Sequence, residues 1–296
     1  MGYLFLIVAS ILGIIKGYCG KRVSTRISKT TDAIFSNLFR MLLCSAIGVI
    51  SIIISDGFLT FNIGYTGLII SILSGISNAA FVVSWLFAVK YGAYMMVDVF
   101  LSLGLSVPIA LCAIIFNEKI DWNHYLGFVL LIVSVIILCS YNNNIKGKLT
   151  PKLTILLLLC SLSSGFSSFS QKWFVKYSGG NLVSSFNFYT YLVASLVLFI
   201  CYVLSNKEKQ KQENSFKIKS VIAYIFVMSV ALFFNSYLLT LAASMLPAIV
   251  LYPLSTGLSL TLSAAMSSVV YKEKLSTKCI TGIILAFISL TIINLL

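Results

Sequence analysis

The sequence predicts an all-α integral membrane protein: ten transmembrane helices arranged as two inverted five-helix repeats. Three observations lead there. Of the 296 residues, 59% are hydrophobic and 10% are charged, against roughly 25% charged residues in globular domains. Apolar runs of about twenty residues, enough to cross roughly 30 Å of hydrocarbon, follow one another along the chain. Residues 117–138 (NEKIDWNHYLGFVLLIVSVIIL) also recur as 272–293 (KEKLSTKCITGIILAFISLTII), a constant offset of 155 (272 less 117). Glu118-Lys119 recurs as Glu273-Lys274, Gly127 as Gly282, and Leu130, Ser134 and Ile137 as Leu285, Ser289 and Ile292.

The spans are expected at 2–20, 32–54, 65–89, 92–115 and 122–141, then at 152–175, 182–205, 218–243, 246–270 and 276–295. The first begins with no basic residues ahead of it, so it reads as a membrane helix rather than a cleavable leader. Its Gly13 and Gly17 stand in GxxxG spacing, which lets a neighbouring helix approach closely. The second holds Arg40. The third places Asn78 and Trp85 seven residues apart, on one face. The fourth (AYMMVDVFLSLGL onward) holds Asp98, with Tyr94 and Ser102 on the same face, and is interrupted by Gly104 and Pro108. The fifth is the first copy of the repeated segment. The sixth carries the small-residue run SLSSGFSSFSQ, read as a packing surface. The seventh ends at the charged loop Asn206 to Lys217, the longest connection. The eighth holds Asn235 and Leu239 on one face, and the ninth Tyr252 and Thr256. Pro247, Pro253 and Gly257 interrupt the ninth, as Gly104 and Pro108 do the fourth. The tenth is the second copy of the repeated segment. Residues 1–141 and 152–296 are therefore the two repeats, joined by 142–151.

Charge sets direction. Of 21 Lys and Arg residues, sixteen fall in the loops after the odd-numbered spans, and only Lys119 and Lys176 fall on the other side. Lys16, Arg40 and Lys172 lie within spans. The positive-inside rule then places both termini outside the cytoplasm. Five spans per half is an odd number, so the second half enters reversed, and the lysine-poor and lysine-rich copies of the Glu-Lys turn agree with that. The net charge of +13 follows from these loops and forms no stripe for nucleic acid. The seven cysteines are dispersed, without a CxxC pair, so neither disulfides nor a metal site is expected, and no cofactor is called for.

Among eight acidic residues, Asp98 alone falls inside an apolar run. An ionised Asp there costs roughly 2.5–3.5 kcal/mol on insertion scales unless it is paired, protonated or wetted. It is a cavity residue that carries a proton or meets a cation, one half of a buried pair with Lys16, Arg40 or Lys172, or an Asp near enough to the surface to be solvated. Lys16 and Lys172 read as snorkelling toward the interface. Arg40, deeper and permanently charged, pairs with an acid or carbonyls, or meets an anionic substrate. Prolines free backbone carbonyls, which are tolerated where they line a wet cavity. Pro108 and Pro253, in repeat-related helices, are thus candidate gating residues.

Duplicated hydrophobic halves are the mark of secondary transporters, with the substrate between the repeats. An enzyme is disfavoured. His124 is the single histidine, and no HExxH, paired-Asp metal motif or GxSxG elbow is present. The P-loop of an ATP-driven pump is missing too.

With Glu118 and Gly127 closing one half and Glu273 and Gly282 the other, the chain resembles the EamA-like ten-helix family of the drug/metabolite transporter superfamily. The likeness covers nearly the whole chain. Arg40 and Lys16 sit where that family often carries basic residues. Ser134 and Ser289 depart from its usual later glycine, and the family's cytoplasmic termini oppose the local charges here. The resemblance implies a central cavity lined by the third, fourth, eighth and ninth helices. Asp98, Asn78, Trp85, Tyr94, Asn235, Tyr252 and Arg40 are then the expected substrate-binding residues, with Asp98 the coupling residue. It implies a secondary transporter, a self-sufficient monomer or a homodimer in a bacterial inner membrane. Such a protein moves a small organic metabolite, an amino acid or similar amphipathic solute, outward by alternating access. Protons or another ion would couple the movement. The alternative is uptake of a small cation such as a quaternary amine, held by Asp98, Trp85 and Tyr252. A non-transporting membrane subunit ranks below both.

Overall fold

A computed structural model describes residues 1–27, 29–55, 61–91, 94–118, 122–140, 150–207, 221–270 and 277–294. The Glu273-Lys274 turn, Asp121, Asp56 and most of the expected 142–151 connection lie outside the described residues. Eleven α-helices are described: α1 (Gly2–Ser24), α2 (Thr30–Ser55), α3 (Gly64–Tyr91), α4 (Tyr94–Leu103), α5 (Ser106–Phe116), α6 (Trp122–Ser140), α7 (Pro151–Ser178), α8 (Val183–Lys207), α9 (Ile222–Met245), α10 (Ala248–Val269) and α11 (Thr277–Asn294). Their order and bounds follow the expected spans closely, except that the fourth is two helices, α4 and α5.

That break has a local cause. Pro108 has no N–H to give the carbonyl of Gly104, four residues back. The N–H of Val107 takes that carbonyl instead, at 3.2 Å, and Gly104 N–H turns back to Leu101 at 3.0 Å. These three-residue closures tighten the chain and end one helix before the next begins. Pro253 sits inside α10, which continues through it. α7 shows conventional punctuation: the Thr150 hydroxyl accepts from Leu153 N–H, Pro151 opens the helix, and Gly179 closes it at φ 65°.

Six helices, α1, α2, α3, α7, α8 and α9, are long and apolar enough to cross a membrane, and shorter apolar segments occur in α4–α5, α6, α10 and α11. Their outer faces are greasy. On α1, Leu4, Ile7, Val8, Ile11 and Ile15 are exposed, a stripe at helical spacing that suits lipid tails, while Leu6, Ala9, Ser10 and Gly17 face the interior.

The main packings run α1 along α9, α3 along α7, α2 along α8 and α6 along α11. Each joins a helix of the first 141 residues to one of the last 147 (296 less 149). The two stretches therefore interlock rather than form separate bundles. Counting α4 and α5 as one, an exchange of the two stretches helix for helix leaves this pattern unchanged. α1–α9 becomes α7–α3, and α2–α8 and α6–α11 return to themselves.

Close approach in the interior depends on glycine at several places, two of them beside Trp85 and the α4–α5 junction. A Cβ on Gly104 would stand 2.3 Å from the Ser161 carbonyl oxygen, and one on Gly165 would stand 2.4 Å from the Gly104 oxygen. The α4–α5 junction thus lies directly on the backbone of α7. One on Gly20 would meet the Trp85 ring at 2.5 Å, so α1 is notched to receive that indole.

Candidate functional site

The interior holds a cavity of about 230 Å³, bounded by α1, α3, α4, α5, α7, α8, α9 and α10, mostly at mid-helix. It is smaller than the roughly 300–1,000 Å³ of drug-sized sites. Its wall is mixed. Serine hydroxyls come from α7 and α10, amides from Asn78, Gln171 and Asn235, and rings from Phe81, Trp85, Tyr191 and Tyr252. Two opposite charges, Lys16 and Asp98, face the same space.

Asp98 projects from α4, where its carboxylate accepts the hydroxyl of Ser263 on α10. That bond joins α4 to α10 at the cavity. The expected pair with Arg40 or Lys172 is not its partner. Lys16 projects from the middle of α1. Among the described residues its ammonium makes no hydrogen bond and no ion pair. It lines the cavity rather than reaching for the interface.

Three other expected residues are placed on the wall and held by bonds between helices. Asn78 Nδ2 donates to Ser74 O at 3.0 Å and to Ser167 Oγ on α7 at 2.9 Å. Asn235 Nδ2 donates to the Ala9 carbonyl of α1. The Tyr252 hydroxyl donates to Ser168 O on α7 at 2.6 Å. These amides and this phenol therefore fix the frame of the cavity, α3 to α7, α9 to α1 and α10 to α7, as well as presenting polar surface. Trp85 and Pro108 also line it, Pro108 at the α4–α5 junction.

Arg40, Pro253 and Tyr94 stand differently. Arg40 is buried at 3% exposure but is not on the cavity wall. Its Nη1 lies 3.5 Å from Met228 Sδ, and its Nε has no hydrogen-bond partner among the described residues. Pro253 is buried within α10 behind the lining Tyr252. Tyr94 opens α4, but its side chain lies outside the described residues. Lys172, expected to snorkel, is buried and donates to Ala243 O at 2.9 Å and Leu246 O at 2.6 Å. It closes the carbonyl end of α9, where a cation is favoured by the helix dipole. Lys21 does the same for α3, reaching Val89 O at 2.9 Å.

Two contributions escaped the sequence reading. One is Lys16. The other is the polar edge of α7, where Ser164, Ser167, Ser168 and Gln171 line the cavity. Gln171 Nε2 donates to Ser236 Oγ at 3.1 Å, and Ser236 donates to Asn187 Oδ1 at 2.8 Å. The signal was present: these residues recur every three or four positions, so they share one face. Read as small residues they suggested packing alone. With Gln171 at their end they are a polar face on the cavity.

Residues 152–295 match the model of the EamA-like transporter family. No curated protein matches the sequence. A solved crystal structure superposes on 99% of this chain and 96% of its own length, with a TM-score of 0.69 and 12% sequence identity. At that identity the likeness speaks to the fold alone.

Proposed function

From the match of residues 152–295 to the EamA-like transporter family, we propose that the chain is a secondary transporter moving a small amphipathic organic metabolite, of the amino-acid kind, out of a bacterial cell across the inner membrane. The observation that carries this reading is Asp98 facing a small, hydroxyl-rich cavity at mid-helix. A carboxylate there can hold the ammonium of a solute or exchange it for a proton. The wall's rings and aliphatic groups accept the solute's apolar part.

The mechanism in this reading is alternating access about the cavity, with two inverted five-helix repeats, 1–141 and 152–296. Its support is the exchange-invariant pairing of helices and the 155-residue sequence repeat. Because the main packings cross from one repeat to the other, the moving bodies are interlocked sets of helices rather than sequential halves. The broken α4–α5 element, whose Pro108 lines the cavity, is the proposed gate. Protons are the proposed coupling ion, with Asp98 as carrier, and the lysine-rich loops set both termini outside the cytoplasm.

Uptake of a small cation is the second reading. It draws on Asp98, Trp85 and Tyr252 sharing one wall, but it leaves Lys16 facing a cation across the same space.

The test is flux. Purified protein in proteoliposomes should move labelled amino acids in exchange for protons when a proton gradient is imposed, and Asp98→Asn should abolish the gradient's effect while the protein still folds. Proton-dependent flux that survives Asp98→Asn unchanged would remove Asp98 from the mechanism.

A further inference from the structure

We propose that Lys16 receives an anionic group of the transported solute, so that Lys16 and Asp98 together clamp a zwitterion. This rests on the transporter reading and narrows its substrate class.

Three other lysines, at or near helix ends, serve backbone carbonyls. Lys172 closes the carbonyl end of α9, and Lys21 that of α3. Lys90 donates to the Ile27 carbonyl. Each has a protein acceptor. Lys16 faces the cavity with none among the described residues. An ammonium removed from bulk water is costly unless it is paired. The one carboxylate on the wall, Asp98, is bonded to Ser263 on α10 and makes no ion pair with Lys16.

Two opposite charges that line one small cavity without bonding each other define what fits between them. A solute with both an ammonium and a carboxylate brings each wall charge an opposite charge in direct contact. It also leaves the net charge of the loaded cavity unchanged. A lone cation satisfies Asp98 but adds positive charge beside Lys16, and a lone anion does the reverse. A lysine suits the anionic end, since its three rotatable donors meet a carboxylate from any side. Ile14, Phe81, Trp85 and Leu239 on the same wall leave an apolar region for a side chain. Their presence beside the charged pair points to an amphipathic zwitterion.

The experiment uses the purified full-length protein and three matched sets of probes: the common L-amino acids, their amides, which lack the carboxylate, and their N-acetyl derivatives, which lack the ammonium. Binding is read by thermal shift and transport by uptake into proteoliposomes. In the wild type, the best amino acid should bind at least about tenfold more tightly than its amide or its N-acetyl derivative, the scale of one lost charged hydrogen bond. Lys16→Gln should erase the preference of acid over amide while leaving the preference over the N-acetyl derivative. Lys16→Arg should restore the first preference in part, which a merely structural lysine would not require. If the amide binds the wild type as tightly as the acid, or Lys16→Gln binds the acid unchanged, the assignment of Lys16 is wrong. If only amines without carboxylates bind and cross, the zwitterion is wrong and transport stands. If no probe of any charge binds or crosses, the transporter reading falls with it.

Discussion

Ser134 on α6 donates its hydroxyl to the carbonyl of Gly282 on α11 at 2.7 Å, and Ser289 on α11 returns the bond to Gly127 on α6 at 2.6 Å. The two bonds exchange under the 155-residue offset: 134 becomes 289 and 127 becomes 282. Both serines are fully buried. Each hydroxyl ties α6 to α11, the two helices that carry the repeated sequence segment. No described residue of α6 or α11 lines the cavity wall. They form a joint beside the site rather than part of it.

Replacing either serine by alanine should therefore weaken the protein without changing what it carries. Each substitution removes one bond between helices, worth about 0.6 kcal/mol on average in membrane proteins and up to about 1.7. Ser134→Ala and Ser289→Ala should cost the same within the error of a detergent-unfolding titration, because their surroundings are matched. Uptake per folded molecule should stay at the wild-type level. Unequal costs, or a change in substrate preference, would show that the two bonds are not equivalent.

Gly165→Ala tests the contact beneath the α4–α5 junction. The new methyl would lie 2.4 Å from the Gly104 carbonyl oxygen and 2.7 Å from Val107 Cβ. Backbone cannot yield as a flexible side-chain tip can, so α7 must move away. Overpacking of this kind costs about 1–3 kcal/mol. Gly13→Ala is the control. Its nearest neighbour would be Asn235 Nδ2 at 3.6 Å, an ordinary contact, although Gly13 also lines the cavity. Thermal melts should separate the two clearly, with Gly165→Ala lowered and Gly13→Ala near the wild type.

Lys172→Met should destabilise α9 at its carbonyl end. The substitution keeps the apolar stem and removes a charge that serves the oxygens of Ala243 and Leu246. Hydrogen bonds to a charged group contribute about 1.5–3 kcal/mol, and the dipole adds a few tenths more. Lys172 is not on the cavity wall, so substrate preference should not change. Amide hydrogen exchange should rise first in the last turn of α9, around Ala243–Met245, and this local pattern distinguishes a lost cap from general unfolding.

Much of the fold could be read from sequence because a membrane leaves few choices. Runs of twenty apolar residues have to be helices, since lipid offers no partner to backbone N–H and C=O groups. The spans from Gly2 to Ser55 and from Pro151 to Lys207 matched for that reason. The break at Gly104-Leu105 was visible as Gly104 and Pro108, because proline removes a specific bond. Faces were also legible: Asn78 with Trp85, Asn235 with Leu239 and Tyr252 with Thr256 all reach the wall together, as a seven- or four-residue spacing requires. Partners were not legible. Spacing says which side of its own helix a residue occupies and nothing about which helix lies opposite. Arg40 and Lys16 are both basic residues in apolar spans, yet one lies against Met228 and the other opens on the cavity. Lys172 looked like a residue near a helix end that could reach water. Its acceptors, more than seventy positions along the chain, exist only once α7 and α9 are packed.

Ser263→Ala separates the position of the Asp98 carboxylate from its charge. The Ser263 hydroxyl is the one hydrogen-bond donor to Asp98 among the described residues, and it comes from α10. Removing it leaves the carboxylate on the wall with its charge intact but no longer anchored to α10. A positioning role predicts weaker solute binding by roughly tenfold, the scale of one hydrogen bond to an ion, with the dependence of flux on the proton gradient retained. Asp98→Asn, by contrast, should lose that dependence outright. Ser263→Thr keeps a hydroxyl and should recover most of the binding. If Ser263→Ala instead abolishes gradient-dependent flux while binding is unchanged, then the hydroxyl belongs to the proton path itself, and Asp98 does not act alone.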